Sequence, residues 1–148
     1  HSHHHSVAGV IMTLKVPDVG EIKLLSFALG VATPGNQTLK LFVSNTTPAD
    51  ADTAGTYTEM STQGYASKTL TKTSWTVSTI SNVASATYAQ QTWTFDGTGG
   101  VTNVYGYYII DSTTSVLLYA ERFAAGPYAV TNNGDIIRVT PVVTLSTV

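Results

Sequence analysis

VTNVYGYYII (101–110), DSTTS (111–115) and VLLYAERF (116–123) decide the fold of this chain. Two apolar runs rich in aromatic and β-branched residues flank five small polar ones, which reads as strand, turn, strand. The first run predicts a longer, largely buried strand. Just upstream, DGTGG (96–100) supplies the positive φ values of a tight connection, so a hairpin is expected there. Further upstream, ATYAQQTWTF (86–95), WTVS (75–78), KTLT around Leu70 and TLKLFVSN (38–45) read as short Thr-rich strands. The last of these sets Leu39, Leu41 and Val43 on one face in period two, and PADADTAG (48–55) follows as a loop. Downstream, NNGD (132–135) carries Asn133 and Gly134, the strongest turn signal in the chain. IIRVTPVVTL (136–145) contains Pro141, which cannot donate to a ladder and so marks an edge or a bulge. Seven to nine short strands without alternating helices predict an all-β fold, an antiparallel β-sandwich or jelly-roll-like domain.

One short helix stands before these strands, over residues 18–29. Pro17 and Asp18 precede it, Glu21 lies three residues after the candidate cap, Ile22, Leu25 and Leu29 recur at helical spacing, and Gly30 ends it. Asp18 and Glu21 are expected to cap its first turn. Ahead of it, HSHHHSVAGVI (1–11) holds all four histidines, His1, His3, His4 and His5, and stands apart from Met12, which reads as a natural start. This His-rich leader or tag remnant offers no fixed geometry for a metal. The chain thus divides into a leader (1–11), an attachment segment with the short helix (12–37) and a β-sandwich domain (38–148).

The 148 residues suit one core, and hydrophobic residues at 43% are enough to fill it. Charge is sparse: seven Lys+Arg and nine Asp+Glu make 11% of the chain, against roughly 25% in an ordinary soluble domain. Subunit packing that covers much of the surface is the simplest account, although Thr, Ser, Asn and Gln also hydrate a surface. The absence of cysteine removes disulfides, thiolate metal sites and a cysteine nucleophile. A net charge of −2 with no basic run argues against a nucleic-acid partner, and the apolar runs are too short for a membrane helix.

Catalytic constellations are thin. Every histidine lies in the first five residues, which excludes a Ser-His-Asp site held in the fold. The carboxylates Asp50, Asp52, Glu59, Asp96, Asp111, Glu121 and Asp135 are candidates for a glycosidase pair, but the five aspartates sit in turn contexts, where they bond their own backbone. Asp50 and Asp52 lack the Gly and distal Glu of a calcium loop. Glu121 interrupts an apolar strand; neighbouring Arg122 points to the opposite face, so a structural or interface ion pair is expected, with Arg138 on the last strand as its candidate partner across the sheet or across a subunit boundary. The aromatics Trp75, Tyr88, Trp93, Phe95, Tyr105, Tyr107, Tyr108, Tyr119, Phe123 and Tyr128 suit a core or an interface, and alternatively a glycan platform. No catalytic, metal or cofactor residue is assigned. Interface residues are expected at Ile22, Leu25, Leu29, Tyr105, Tyr107, Tyr119, Glu121, Phe123 and Arg138.

LKVPDVGEIKLL (14–25), LKLFVSNTTP (39–48), GYASKTLT (64–71), YAQQTWTF (88–95), VYGYYIIDSTTSVLLYAERF (104–123) and NNGDIIRVTPVVTLS (132–146) resemble, in order, a family of small virion structural proteins of tailed phages, especially those of cyanobacteria and other marine bacteria. The resemblance implies a capsid decoration or cement protein on the capsid surface, partnered by the major capsid protein and by copies of itself, as a homotrimer, with no catalytic residues. A tail-associated adhesin for host glycan is the alternative, since related proteins are assigned to tails as well; a glycosidase using Glu121 is a third.

Overall fold

The computed structural model describes residues 4–7 and 15–145, so the boundary expected at Met12 lies outside the described residues. Twelve strands and one α-helix follow in order: β1 (His4–Val7), α1 (Asp18–Ala28), β2 (Gln37–Phe42), β3 (Lys68–Leu70), β4 (Thr76–Ile80), β5 (Val83–Thr87), β6 (Gln91–Asp96), β7 (Thr102–Val104), β8 (Gly106–Asp111), β9 (Leu117–Arg122), β10 (Tyr128–Val130), β11 (Asn133–Val139) and β12 (Val142–Leu145). They form a four-stranded sheet ordered β3-β2-β8-β9, two three-stranded sheets, β1-β11-β6 and β12-β5-β4, and the pair β10-β7. All pairings are antiparallel except β1 beside β11. The expected all-β, sandwich-like domain with one short helix is what the chain adopts.

The β8–β9 hairpin lies at the centre. Every residue of β8 is buried, because both faces of its sheet are covered. On one face Leu39, Leu41, Tyr107 and Ile109 meet Trp93, Phe95, Ile137 and Val139 of the opposing sheet. On the other, Phe42, Tyr108, Ile110 and Leu117 pack with Tyr57, flanked by Val19 of α1. Period-two alternation therefore feeds two cores, and so the run lacks the polar half of a one-sided strand.

Three runs that read as single strands are broken. Residues 86–95 split at Tyr88, 101–110 at Tyr105, and 136–145 at Thr140 and Pro141. Each break moves the chain between sheets: β7 pairs with β10 whereas β8 pairs with β2 and β9, and β11 pairs with β6 whereas β12 pairs with β5. These breaks, together with β1, raise the count above the expected seven to nine, to twelve among the described residues. The DGTGG connection does take positive φ at Gly97, Gly99 and Gly100, yet no hairpin forms across it, since β6 pairs with β11 and not with β7. Pairing of β6 with β11, which buries Trp93, Phe95 and Ile137 together in the main core, outweighs the local turn preference.

Helix α1 also differs in its cap. Pro17 is the cap residue and no side chain bonds the first turn; the Asp18 amide donates instead to the Asp50 carbonyl at 2.8 Å. Asp18 is already helical, so its carboxylate cannot reach back over the turn as a capping residue would. Gly30 ends the helix as expected, at φ +76°. Position 20 fixes how closely the helix sits: a Cβ there would lie 2.5 Å from the Leu118 carbonyl oxygen. Gly20→Ala would gain about 1 kcal/mol of helix propensity, but the obstacle is backbone that no rotamer relieves, and overpacking costs about 1–3 kcal/mol. Net destabilisation on the order of 1 kcal/mol is expected in urea unfolding; unchanged or raised stability would refute this close approach.

Candidate functional site

Of the helix residues that share the expected apolar stripe, none faces the core. Leu24 and Phe27 pack on the main core and Gly20 is buried against β9, while Ile22, Leu25 and Leu29 remain 66%, 61% and 75% exposed. The helix is apolar on two faces, and only one of them is used within the chain. A helix apolar all round is normally buried all round.

The unused face borders an open groove of about 620 Å³ between α1 and the small β12-β5-β4 sheet. Its floor follows from register: Val77, Ala86 and Val143 are cross-strand neighbours in one row, and Ala84 and Leu145 in the next. Side chains two apart on a strand share a face, so these rows form one apolar surface, and the small alanines leave it concave. Leu24, Leu25 and Ala28 form the helical wall. Trp75 closes one end, its indole N–H donating to Gln37 Oε1 at 2.8 Å and its ring meeting Tyr88 edge-on at 5.3 Å. Tyr119 lies at the same groove, with burial pushing its hydroxyl up to about 12. Glu21 and Lys72 supply the charges of the lining. Val77 and Leu145 are 76% and 66% exposed. A concave apolar surface with a few polar groups at its edge is the usual form of a binding site.

The remaining expected interface residues are used inside the chain or at its other faces. Tyr107, Tyr119 and Phe123 are buried in the main core. Tyr105 stacks under the Arg122 guanidinium, 5.1 Å from its ring centre. Arg138 lies on β11, beside Thr92 of β6 and Ser6 of β1 in register. Within the chain the partner of Glu121 is a tyrosine and not Arg138. Glu121 sits directly opposite Tyr107 across β8 and β9 and accepts that hydroxyl's hydrogen bond. Burial raises the Glu121 carboxyl above its ordinary value, and the Tyr107 hydroxyl pulls the other way. The sequence could not favour this partner over a cation, because the pairing depends on a bulge between Ile109 and Ile110 that sets the register.

The other carboxylates hold turns. Asp52 accepts from the Ala49 amide and the Tyr57 hydroxyl, Asp96 from the amide and hydroxyl of Thr98, Asp111 from those of Thr114, and Asp135 from the Thr131 and Asn132 amides. Asp50 pairs with Lys15 at 2.6 Å, and Glu59 accepts from Tyr65 and faces Lys40. Among the described residues no three His, Asp or Glu side chains cluster as a metal site, and no helix is long and apolar enough to cross a membrane. The aromatic rings are mostly interior: Tyr57, Tyr88, Trp93, Phe95, Tyr107, Tyr108, Tyr119 and Phe123 are all buried, which leaves few rings for a sugar platform. Sequence reading missed the groove floor. Val77 and Leu145 belong to short alternating runs, and nothing in either run says that the sheet stands apart from the main core.

No family model, no curated protein and no solved structure matches this chain.

Glu121 yields a pH prediction. Its folded pKa lies above the ordinary 4.5, so the stability attached to its protonated form is full below that value and is lost as pH rises through the folded pKa. Glu121→Gln keeps an acceptor for Tyr107 and removes the titration. Relative to wild type the variant should gain stability between about pH 4 and about pH 7. Urea midpoints at the two pH values check this, and an identical wild-type-to-variant difference at both would contradict it.

Proposed function

We propose that this chain is a non-catalytic structural protein of a tailed-phage virion, a capsid cement or decoration subunit that docks on assembled major capsid protein through α1 and the adjoining groove. The observation that carries the docking reading is the exposed Ile22, Leu25 and Leu29 face of α1, continuous with an apolar groove. Such a face removes apolar area from water when covered, at roughly 25 cal/mol per Å². The low charge content fits a chain whose surface is covered by neighbours. The employment of the aspartates in turns favours a structural role over a carboxylate-pair hydrolase. The assignment to a phage particle rests on the resemblance of the segments from residue 14 to residue 146.

On a symmetric shell many copies bind at once, so a modest contact per copy suffices for stable attachment and for resistance to expansion of the shell. Leu25 is the residue to change, because it lines the groove and is exposed, so its replacement leaves the core intact. Fully burying a Leu is worth about 1.5–3 kcal/mol, and Leu25→Glu also places a charge in that contact. Binding of the purified protein to undecorated phage capsids should weaken at least about tenfold, with the unfolding midpoint unchanged. Wild-type protein without affinity for such capsids would refute the particle assignment, and undiminished binding by Leu25→Glu would refute the docking face.

A further inference from the structure

We infer that β4 is a self-association edge, which pairs antiparallel with β4 of a second copy about a two-fold axis through Ser78. The inference rests on the reading of this chain as an assembling subunit, and it uses the edge of the small sheet and not the wall of the groove. Among the described residues β4 ends the β12-β5-β4 sheet and pairs on one side only, with β5. Its residues Thr76, Val77, Ser78 and Thr79 are exposed. Natural sheets protect such an edge with a lysine, a proline, a bulge or an inward-pointing charge. TVSTI has none of these: it is uncharged, it lacks proline, and its register with β5 runs unshifted from Thr76 to Ile80.

The hairpin geometry says which backbone groups are free. β4 and β5 are joined by Ser81 and Asn82, both at positive φ, 49° and 65°. This is a two-residue type I′ loop, whose flanking residues, Ile80 and Val83, exchange both hydrogen bonds of a closing pair. Bonded and non-bonded pairs alternate along an antiparallel ladder, so Ile80, Ser78 and Thr76 direct their N–H and C=O toward β5. The N–H and C=O of Val77 and Thr79 point away from it. No other backbone group among the described residues takes them up.

A second β4 placed antiparallel with Ser78 facing Ser78 makes Val77 and Thr79 of opposite copies the hydrogen-bonded pairs. All four outward groups of each strand are then satisfied, and a register shifted by one residue would leave them facing the wrong way. The central pair consists of two small neutral side chains, and no like charges meet. Because the two-fold axis is perpendicular to the sheet, groove faces stay on the same side. Val77 gains a β-branched Thr79 neighbour from the other copy, and the two groove floors become one six-stranded surface. The contact is isologous and closes at two copies; a three-fold ring would need a different, heterologous surface.

The chain has no cysteine, which makes a one-residue cross-link diagnostic. Ser78→Cys should give a disulfide-linked dimer under mild oxidation, since the facing Cβ atoms of a non-hydrogen-bonded pair lie within bridging range. Val101→Cys, exposed on a different loop, should not. Sedimentation of the wild type should show a reversible species of twice 15.7 kDa. Ser78→Lys, which opposes two like charges, should weaken that dimer at least about tenfold. Thr79→Pro, which deletes an outward N–H and spares the β5 ladder, should do the same with an unchanged unfolding midpoint. A wild type that stays at 15.7 kDa at high concentration, or a dimer unaffected by both substitutions, overturns the inference. Capsid binding is read separately with Leu25→Glu: binding without dimers sinks the β4 contact alone, and dimers without binding sink the particle reading alone.

Discussion

The double burial of the β8–β9 hairpin is the constraint on which the rest depends. Tyr107 and Ile109 look into one core and Tyr108 and Ile110 into the other. A sheet with two apolar faces must be covered twice. The opposing strands β6 and β11 cover one side, but the described residues supply no second full sheet for the other. That side is closed by the Tyr57 segment with Val19 of α1, while Leu24 and Phe27 of the same helix pack on the main core; the missing Cβ of Gly20 brings the helix within contact of the Leu118 carbonyl on β9. Gly106 plays a related part inside the hairpin, where a Cβ would collide with the Glu121 carbonyl and the Phe42 ring.

Once α1 is held against β9, its orientation is no longer free. Gly20, Leu24 and Phe27 turn inward because the contact with β9 demands the smallest residue at the closest point, not because they are the most apolar. Ile22, Leu25 and Leu29 consequently point away, although their spacing is as regular as that of a buried stripe. The small β12-β5-β4 sheet departs from the main stack where Tyr88 and Pro141 break their strands; the Tyr88 amide donates to the Pro141 carbonyl at 3.0 Å and ties the two breaks together. The groove is the space between this departing sheet and the helix, so it follows from two features that also hold the fold.

The sequence made the class of fold legible, along with the central hairpin, the helix and the turn-forming roles of the aspartates. Each depends on neighbours within a few residues: apolar runs, Asp followed by Thr, and Gly30 after Leu29. What could not be read were decisions made between distant segments. The breaks at Tyr105 and Tyr88 carry no proline, and each is fixed by which sheet its flanking residues join. The exposed side of α1 was identifiable as apolar but not as outward, because Gly20 signals a close approach only when Leu118 is seen opposite. Ser81 and Asn82 form a tight turn without the Asn-Gly pattern that announces one, whereas Asn133 and Gly134, which have that pattern, do turn the chain between β10 and β11, the Asp135 amide donating to the Asn132 carbonyl at 3.1 Å, and they also open a bulged strand.

Sparse charge takes a different meaning in this setting. Asp52, Asp96, Asp111 and Asp135 bond local backbone or hydroxyl groups, and Glu121 and Glu59 bond tyrosines, so few of the carboxylates are left to keep the surface wet and repulsive. The apolar flank of α1 and the uncharged rim of β4 adjoin one groove and lack the charges that usually discourage association. A lone molecule would gain from a Lys at Ser78 or a Glu at Leu25 and would lose no core packing by it. Both positions instead carry residues suited to close contact, as the proposed role in an assembly requires.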